Sequence, residues 1–78
     1  MTKLAKLDPY NYKIIPGKIR IKLSKTNDPI LVDIMSDIRN SRGKIYVEGD
    51  FYTYSDKYEI VKRGKYVFLE LHVTKIQQ

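Results

Sequence analysis

A chain of 78 residues makes one small domain, and a domain of this size buries only about 60–65% of the surface its unfolded chain exposes. The absence of cysteine and the single histidine, His72, exclude disulfides, thiolate metal sites and clustered histidine ligand sets. Fifteen Lys and Arg against nine Asp and Glu leave a net charge of +6, a balance that favours a polyanionic partner because neutralised phosphates release their counterions.

The chain reads as one domain over residues 1–78, with 1–16 partly irregular. No apolar run approaches a membrane span, and "MTKLAKLDPYNYK" lacks the apolar centre of a secretion signal. These features, with the missing cysteines, imply a soluble cytoplasmic protein with no membrane partner. The positive charge is regional. Residues 13–25 carry Lys13, Lys18, Arg20, Lys22 and Lys25 without an acid, and 57–65 carry Lys57, Lys62, Arg63 and Lys65 against Glu59 alone.

In chain order, "DPYNYKIIPG" is punctuated by two prolines and ends in a turn signal. "KIRIKLSK" alternates, which predicts a strand with Ile19, Ile21 and Leu23 inward and Lys18, Arg20, Lys22 and Ser24 outward. "NDPILVDIMSDIRNSRG" is ambiguous. As a helix it has Asp28 as cap, Pro29 in the first turn and Ile30, Leu31, Ile34, Met35 and Ile38 on one face, ending at Gly43. As a strand it sets Ile30, Val32 and Ile34 against Leu31, Asp33 and Met35. "KIYVEGDFYTY" predicts a strand with Ile45, Val47, Phe51 and Thr53 on one face and Tyr46, Glu48, Tyr52 and Tyr54 on the other. Gly49 marks a bulge or sharp bend, and a one-residue bulge there exchanges the faces beyond it. "KYEIVKRGKYVFLELHVTKI" predicts a hairpin turning near Arg63-Gly64, with Val67, Leu69, Leu71 and Val73 inward and Tyr66, Phe68, Glu70 and His72 outward.

Four of the seven tyrosines and one of the two phenylalanines fall between Tyr46 and Tyr58. By strand parity Tyr46, Tyr52, Tyr54, Tyr66 and Phe68 face solvent beside basic side chains. Surfaces that bind single strands combine these two elements, rings that stack on bases and cations that follow the phosphates. Lys18, Arg20, Lys22, Lys57, Lys62, Arg63 and Lys65 are the candidate phosphate contacts. Tyrosine is also a good strand former, and cross-strand ring pairs stabilise small sheets without a ligand.

The same segments resemble the bacterial single-stranded DNA-binding proteins and their relative, primosomal replication protein B. "LDPYNYKIIPGKIRIKLSK" is similar to the opening of those families, "DPILVDIM" to their next strand, and "GKIYVEGDFYTYS" to their Val-x-Val-Glu-Gly strand through Ile45, Val47, Glu48, Gly49, Phe51 and Thr53. "YVFLELHVTKIQ" looks like their closing strand. The resemblance implies an OB-fold and puts the ligand surface over Lys18, Arg20 and Lys22 and the 54–65 hairpin region. The chain departs from those families in having no tryptophan, no acidic C-terminal tail and only "SDIRNSR" for their helix. It resembles a stripped-down form of phage, plasmid or organelle type, in which case the host cytoplasm is the compartment.

The expectation is therefore a mostly β, small OB-like five-stranded barrel with at most one short helix. The alternative is an α+β arrangement with one helix at 29–42 packed on an antiparallel sheet. The expected function is non-catalytic binding of single-stranded DNA or RNA with little sequence preference, without cofactor or metal, as a monomer, homodimer or higher oligomer. Two other classes compete. One is a small protein-interaction module, such as an inhibitor of a host factor. The other is a metal-dependent nuclease built on Asp50, Glu70 and His72, for which the expected lysine is missing.

Overall fold

Three tight turns organise the sheet, each written in the two residues that occupy it. The computed structural model describes residues 5–7 and 10–76. Asp8 and Pro9, part of the family-like opening, lie outside the described residues, as do residues 1–4, Gln77 and Gln78. Strand β2 (Tyr12–Ile15) meets β3 (Lys18–Leu23) through Pro16-Gly17. There proline presets φ and Gly17 takes φ +76°, as a type II turn requires. Strand β4 (Lys44–Val47) meets β5 (Asp50–Arg63) through Glu48-Gly49, with φ of 52° and 81°, the two left-handed residues of a type I′ turn. Strand β6 (Tyr66–Lys75) follows β5 after Gly64-Lys65, with φ +60° at Gly64 alone, as in type II′.

These hairpins give a sheet of order β2-β3-β6-β5-β4, antiparallel throughout, to which the two-residue β1 (Ala5–Lys6) adds parallel to β4. The five antiparallel strands curl into a half-barrel that carries one helix, a mostly β fold consistent with the small OB-like architecture expected. The expected irregularity of residues 1–16 is corrected in part. Tyr12–Ile15 pairs residue for residue with Lys18–Ile21, because the Pro-Gly turn returns the chain directly onto β3.

The ambiguous segment is helix α1 (Pro29–Asn40). The strand-like place given to Asp28–Met35 by the resemblance is thereby overturned. Asp28 is extended, accepts from the Ile30 amide at 2.9 Å and from the Ser24 amide at 2.7 Å, and so holds the first turn. Ile34 and Ile38, four residues apart, are buried, whereas Val32 is 66% exposed. A strand would have put Val32 and Ile34 on one face. The helix ends where Arg42 and Gly43 take φ of 59° and 80° and the Gly43 amide donates to the Ile38 carbonyl at 2.8 Å. No helix among the described residues is long and apolar enough to cross a membrane.

One core runs under the helix. Leu7, Ile19, Ile21, Leu23, Ile34, Ile38, Ile45, Val47, Tyr52, Leu69, Leu71 and Val73 form a single buried cluster. Strand β5, at fourteen residues, would span about 43 Å if straight, more than the longest dimension of the molecule, 38 Å. It bends. Its pairing with β6 shifts between Tyr54 and Tyr58, where two extra residues enter β5 and Asp56 takes φ +64°.

Candidate functional site

The β3–β6 ladder decides which side chains share the solvent face of the sheet. Register pairs Lys18 with His72, Arg20 with Glu70 and Lys22 with Phe68, while Ile19, Ile21 and Leu23 pair with Leu71, Leu69 and Val67 on the inner face. Across β5, Val61 lies opposite Phe68 and Arg63 opposite Tyr66; across β2, Lys13 lies opposite Arg20. Sheet pairing thus gathers Lys13, Arg20, Lys22, Arg63, Tyr66 and Phe68 on one surface, with Lys65 in the adjoining turn. The Tyr66 and Phe68 rings are 6.3 Å apart and tilted by 40°. Lys22 Nζ stands 4.5 Å from the centre of the Tyr66 ring, Lys65 Nζ 5.5 Å from it, and the Arg20 guanidinium 5.5 Å from that of Phe68. A shallow hollow of about 300 Å³ adjoins this patch, lined by Asn11, Tyr12, Lys13, Arg20, Lys22 and Phe68.

Two of the candidate phosphate contacts are already engaged. Glu70 is 4% exposed and accepts from Arg20 Nε at 2.9 Å and from Lys18 Nζ at 3.4 Å. Burial pushes its carboxyl upward, but the hydrogen bonds and charges of Arg20 and Lys18 outweigh it and hold the group below the usual glutamate range. Lys13, Lys22, Arg63 and Lys65 make no ion pair among the described residues. Of the remaining cations, Lys62 lies opposite Val67 and so belongs to the inner face, and Lys57 is exposed beside the β5 irregularity.

The expected outward placement of Tyr52 and Tyr54 is corrected. Tyr52 is buried at 7% exposure opposite Ile45 on β4, and Tyr54 is half-buried against the core. Phe51 and Thr53 take the outer face in their stead. The cause is the length of the β4–β5 turn. A two-residue turn pairs Val47 with Asp50 and Ile45 with Tyr52, so the inward series runs Ile45, Val47, Asp50, Tyr52. Burial first, and then the charges of Asp56 and Tyr58, raise the Tyr54 hydroxyl above the ordinary tyrosine value. Tyr46 keeps its outer position, half-buried and 4.9 Å from the Phe51 ring.

Lys13 is not among the phosphate contacts expected from sequence, because the two prolines of its segment read as irregular chain. The signal available was the alternation of Tyr12 and Ile14 with Lys13. The nuclease constellation is not assembled by the sheet. Asp50 pairs with Lys75 at 3.6 Å and His72 with Glu59 at 3.6 Å, while Glu70 holds Arg20 and Lys18. No group of three or more metal-ligating side chains is brought together among the described residues. Compared with known proteins, the chain matches no family model, and neither a curated protein nor a solved structure shows significant similarity to it.

Proposed function

We propose that this chain binds single-stranded nucleic acid, without catalysis, on the outer face of β3, β6 and the distal part of β5. The observation that carries the reading is the seating of Lys22 and Lys65 against Tyr66, and of Arg20 against Phe68, on one sheet surface. A base that displaces an ammonium from over the ring gains its stacking face, and the displaced cation turns to the adjoining phosphate, so one site meets the two halves of a nucleotide. The ring spacing of 6.3 Å is nearly twice the rise of about 3.4 Å per nucleotide in a stacked strand. The two rings therefore suit successive bases of a strand drawn out along the sheet.

Lys13, Lys22, Arg63 and Lys65 supply the phosphate contacts in this reading, and Tyr66 and Phe68 the stacking. Tyr46 and Phe51 form a separate ring pair on the outer side of the β4–β5 hairpin. The kinship with bacterial single-stranded DNA-binding proteins belongs to the same proposal and rests on the mostly β half-barrel; the Val-Glu-Gly segment, part of a strand in the resemblance, here ends β4 at Val47 and turns at Glu48-Gly49. The test is a titration of intrinsic tyrosine fluorescence with a homopolymer oligonucleotide at several salt concentrations. Four phosphate contacts predict that log K falls with log salt at a slope of about −3. The absence of quenching at low salt, or a slope near zero, overturns the reading.

A further inference from the structure

We propose that the free edge of β5 is a homodimer interface, at which two copies of the chain pair their β5 strands antiparallel about a two-fold axis through Glu59. The inference is independent of nucleic-acid binding. Strand β4 pairs with β5 only over Asp50–Thr53, and the Tyr54 amide donates to the Gly43 carbonyl. From Ser55 to Arg63 that edge has no strand partner among the described residues, although β6 pairs along the other edge to Arg63. Of these nine residues all but Val61 are exposed. Tyr58 and Ile60 are 49% and 37% exposed even though they lie opposite Leu71 and Leu69 on the inner, apolar face. An unpaired strand of this length is a template for another chain.

The occupant follows from the residues along the edge. Lys57, Lys62 and Arg63 discourage indiscriminate pairing, and a second copy of the strand answers Lys62 with Asp56. A two-fold pairing that uses all nine free residues is centred on Glu59. It sets Tyr58 opposite Ile60 of the second copy and brings Asp56, in the irregular stretch of β5, level with Lys62, each twice by symmetry. One apolar pair and one opposite-charge pair on each side of the axis are the contacts that stabilise a ladder. A shift of one residue would pair inner with outer faces. Centring on Ile60 would set Lys57 against Arg63. Centring on Tyr58 would carry Lys62 and Arg63 onto Tyr54 and Thr53, whose edge is already taken. The two Glu59 carboxylates meet at the axis, a single like-charge pair that opposes dimerisation, each with His72 Nε2 of its own chain 3.6 Å away. The joined sheet would also lay both Tyr66–Phe68 patches on one continuous face.

The test uses the full chain without nucleic acid. Sedimentation equilibrium from micromolar to millimolar protein is expected to show a monomer–dimer equilibrium. The chain has no cysteine, so single-cysteine variants report the register. Directly opposed residues are about 4.5–5.5 Å apart at Cα, within disulfide reach. Glu59→Cys is therefore expected to form a disulfide dimer readily on mild oxidation, and Lys57→Cys far more slowly. Ile60→Lys removes two Tyr–Ile pairs from the interface and is expected to weaken dimerisation about tenfold, with an unchanged circular dichroism spectrum. A chain that stays monomeric at millimolar concentration overturns the proposal. So does crosslinking of Lys57→Cys as fast as Glu59→Cys, or a dimer indifferent to Ile60→Lys in a folded variant. Should Ile60→Lys fail to fold, the two cysteine variants decide alone.

Discussion

Tyr52 and Tyr54 of β5 and the rings of β6 begin as the same pattern, aromatic residues at alternate positions of a strand, and end on opposite faces of the sheet. Tyr52 and Tyr54 lie under the helix side of the sheet, one buried and one half-buried, while Tyr66 is 43% exposed and Phe68 sits half-buried beneath Arg20 on the other side. The difference is set by the partner across the ladder. Tyr52 faces Ile45 and Tyr54 faces Val73, both core residues, whereas Phe68 faces Lys22 and Tyr66 faces Arg63. The same alternation in sequence thus gives two populations in space, one turned to the core and one to the outer face.

The sharpest way to break this comparison is to truncate one ring of each population. Tyr52→Ala removes a buried ring from the single core and is expected to cost about 3–5 kcal/mol. That is a large part of the total stability of a domain this small, and a urea or thermal melt measures it directly. Tyr66→Ala and Phe68→Ala are each expected to lower oligonucleotide affinity by about 1–3 kcal/mol while the melting curve stays close to that of the parent. A Tyr66→Ala chain that melts early and binds normally would place that ring with the structural population. Tyr54→Ala, at the boundary, is expected to cost about 1–2 kcal/mol of stability, with affinity unchanged once folding is restored by lower temperature.

A smaller effect tests the turn that separates the populations. Glu48 holds φ 52° at the first position of the type I′ turn, a conformation that disfavours most side chains and suits asparagine. Glu48→Asn is expected to stabilise the protein by up to about 1 kcal/mol in the same melts. A loss of stability would contradict the turn assignment and with it the burial of Tyr52.

The acid response sharpens the electrostatic half of the comparison. Asp28 is held below the usual aspartate range by the Ser24 hydroxyl first and then by the Ile30 and Ser24 amides. Glu70 is held low against the cost of its burial by Arg20 and Lys18. A carboxyl lower in the folded than in the unfolded state adds stability that is complete above the unfolded value, about 4 for these groups. That stability is lost as the pH falls through the folded one. The melting temperature is therefore expected to hold steady above about pH 5 and to fall below about pH 4. In Glu70→Gln that fall should be shallower. The same variant releases Lys18 and Arg20 and raises the net charge from +6 to +7, so its oligonucleotide affinity is expected to rise and its salt slope to steepen.

Much of the fold was legible in local residues. Pro16-Gly17 announced its turn, "KIRIKL" its inward and outward faces, and "YVFLELHV" the placement of Val67, Leu69, Leu71 and Val73. Asp28 and Pro29 carried the helix start, yet the same apolar run also matched a strand. Periodicity could not separate the two because four apolar positions, Ile30, Leu31, Ile34 and Met35, have a place in both templates. Of the candidate site, Lys22, Tyr66 and Phe68 share the outer face as their strand parity implied, and Lys65 joins them from the adjoining turn. Tyr52 and Tyr54 do not, because parity beyond Gly49 depends on whether one or two residues make the turn.

The sequence by itself determined the turn chemistry, the alternation of β3 and β6 and the excess of positive charge, since each depends on neighbours a few residues apart. Only the tertiary structure decided that Glu70 claims Lys18 and Arg20, that Lys13 joins the patch, that α1 is a helix and that β5 keeps an open edge from Ser55 to Arg63. Those outcomes depend on register and on which surfaces cover one another. Both arise from contacts between residues as far apart as Arg20 and Glu70, which no local pattern encodes.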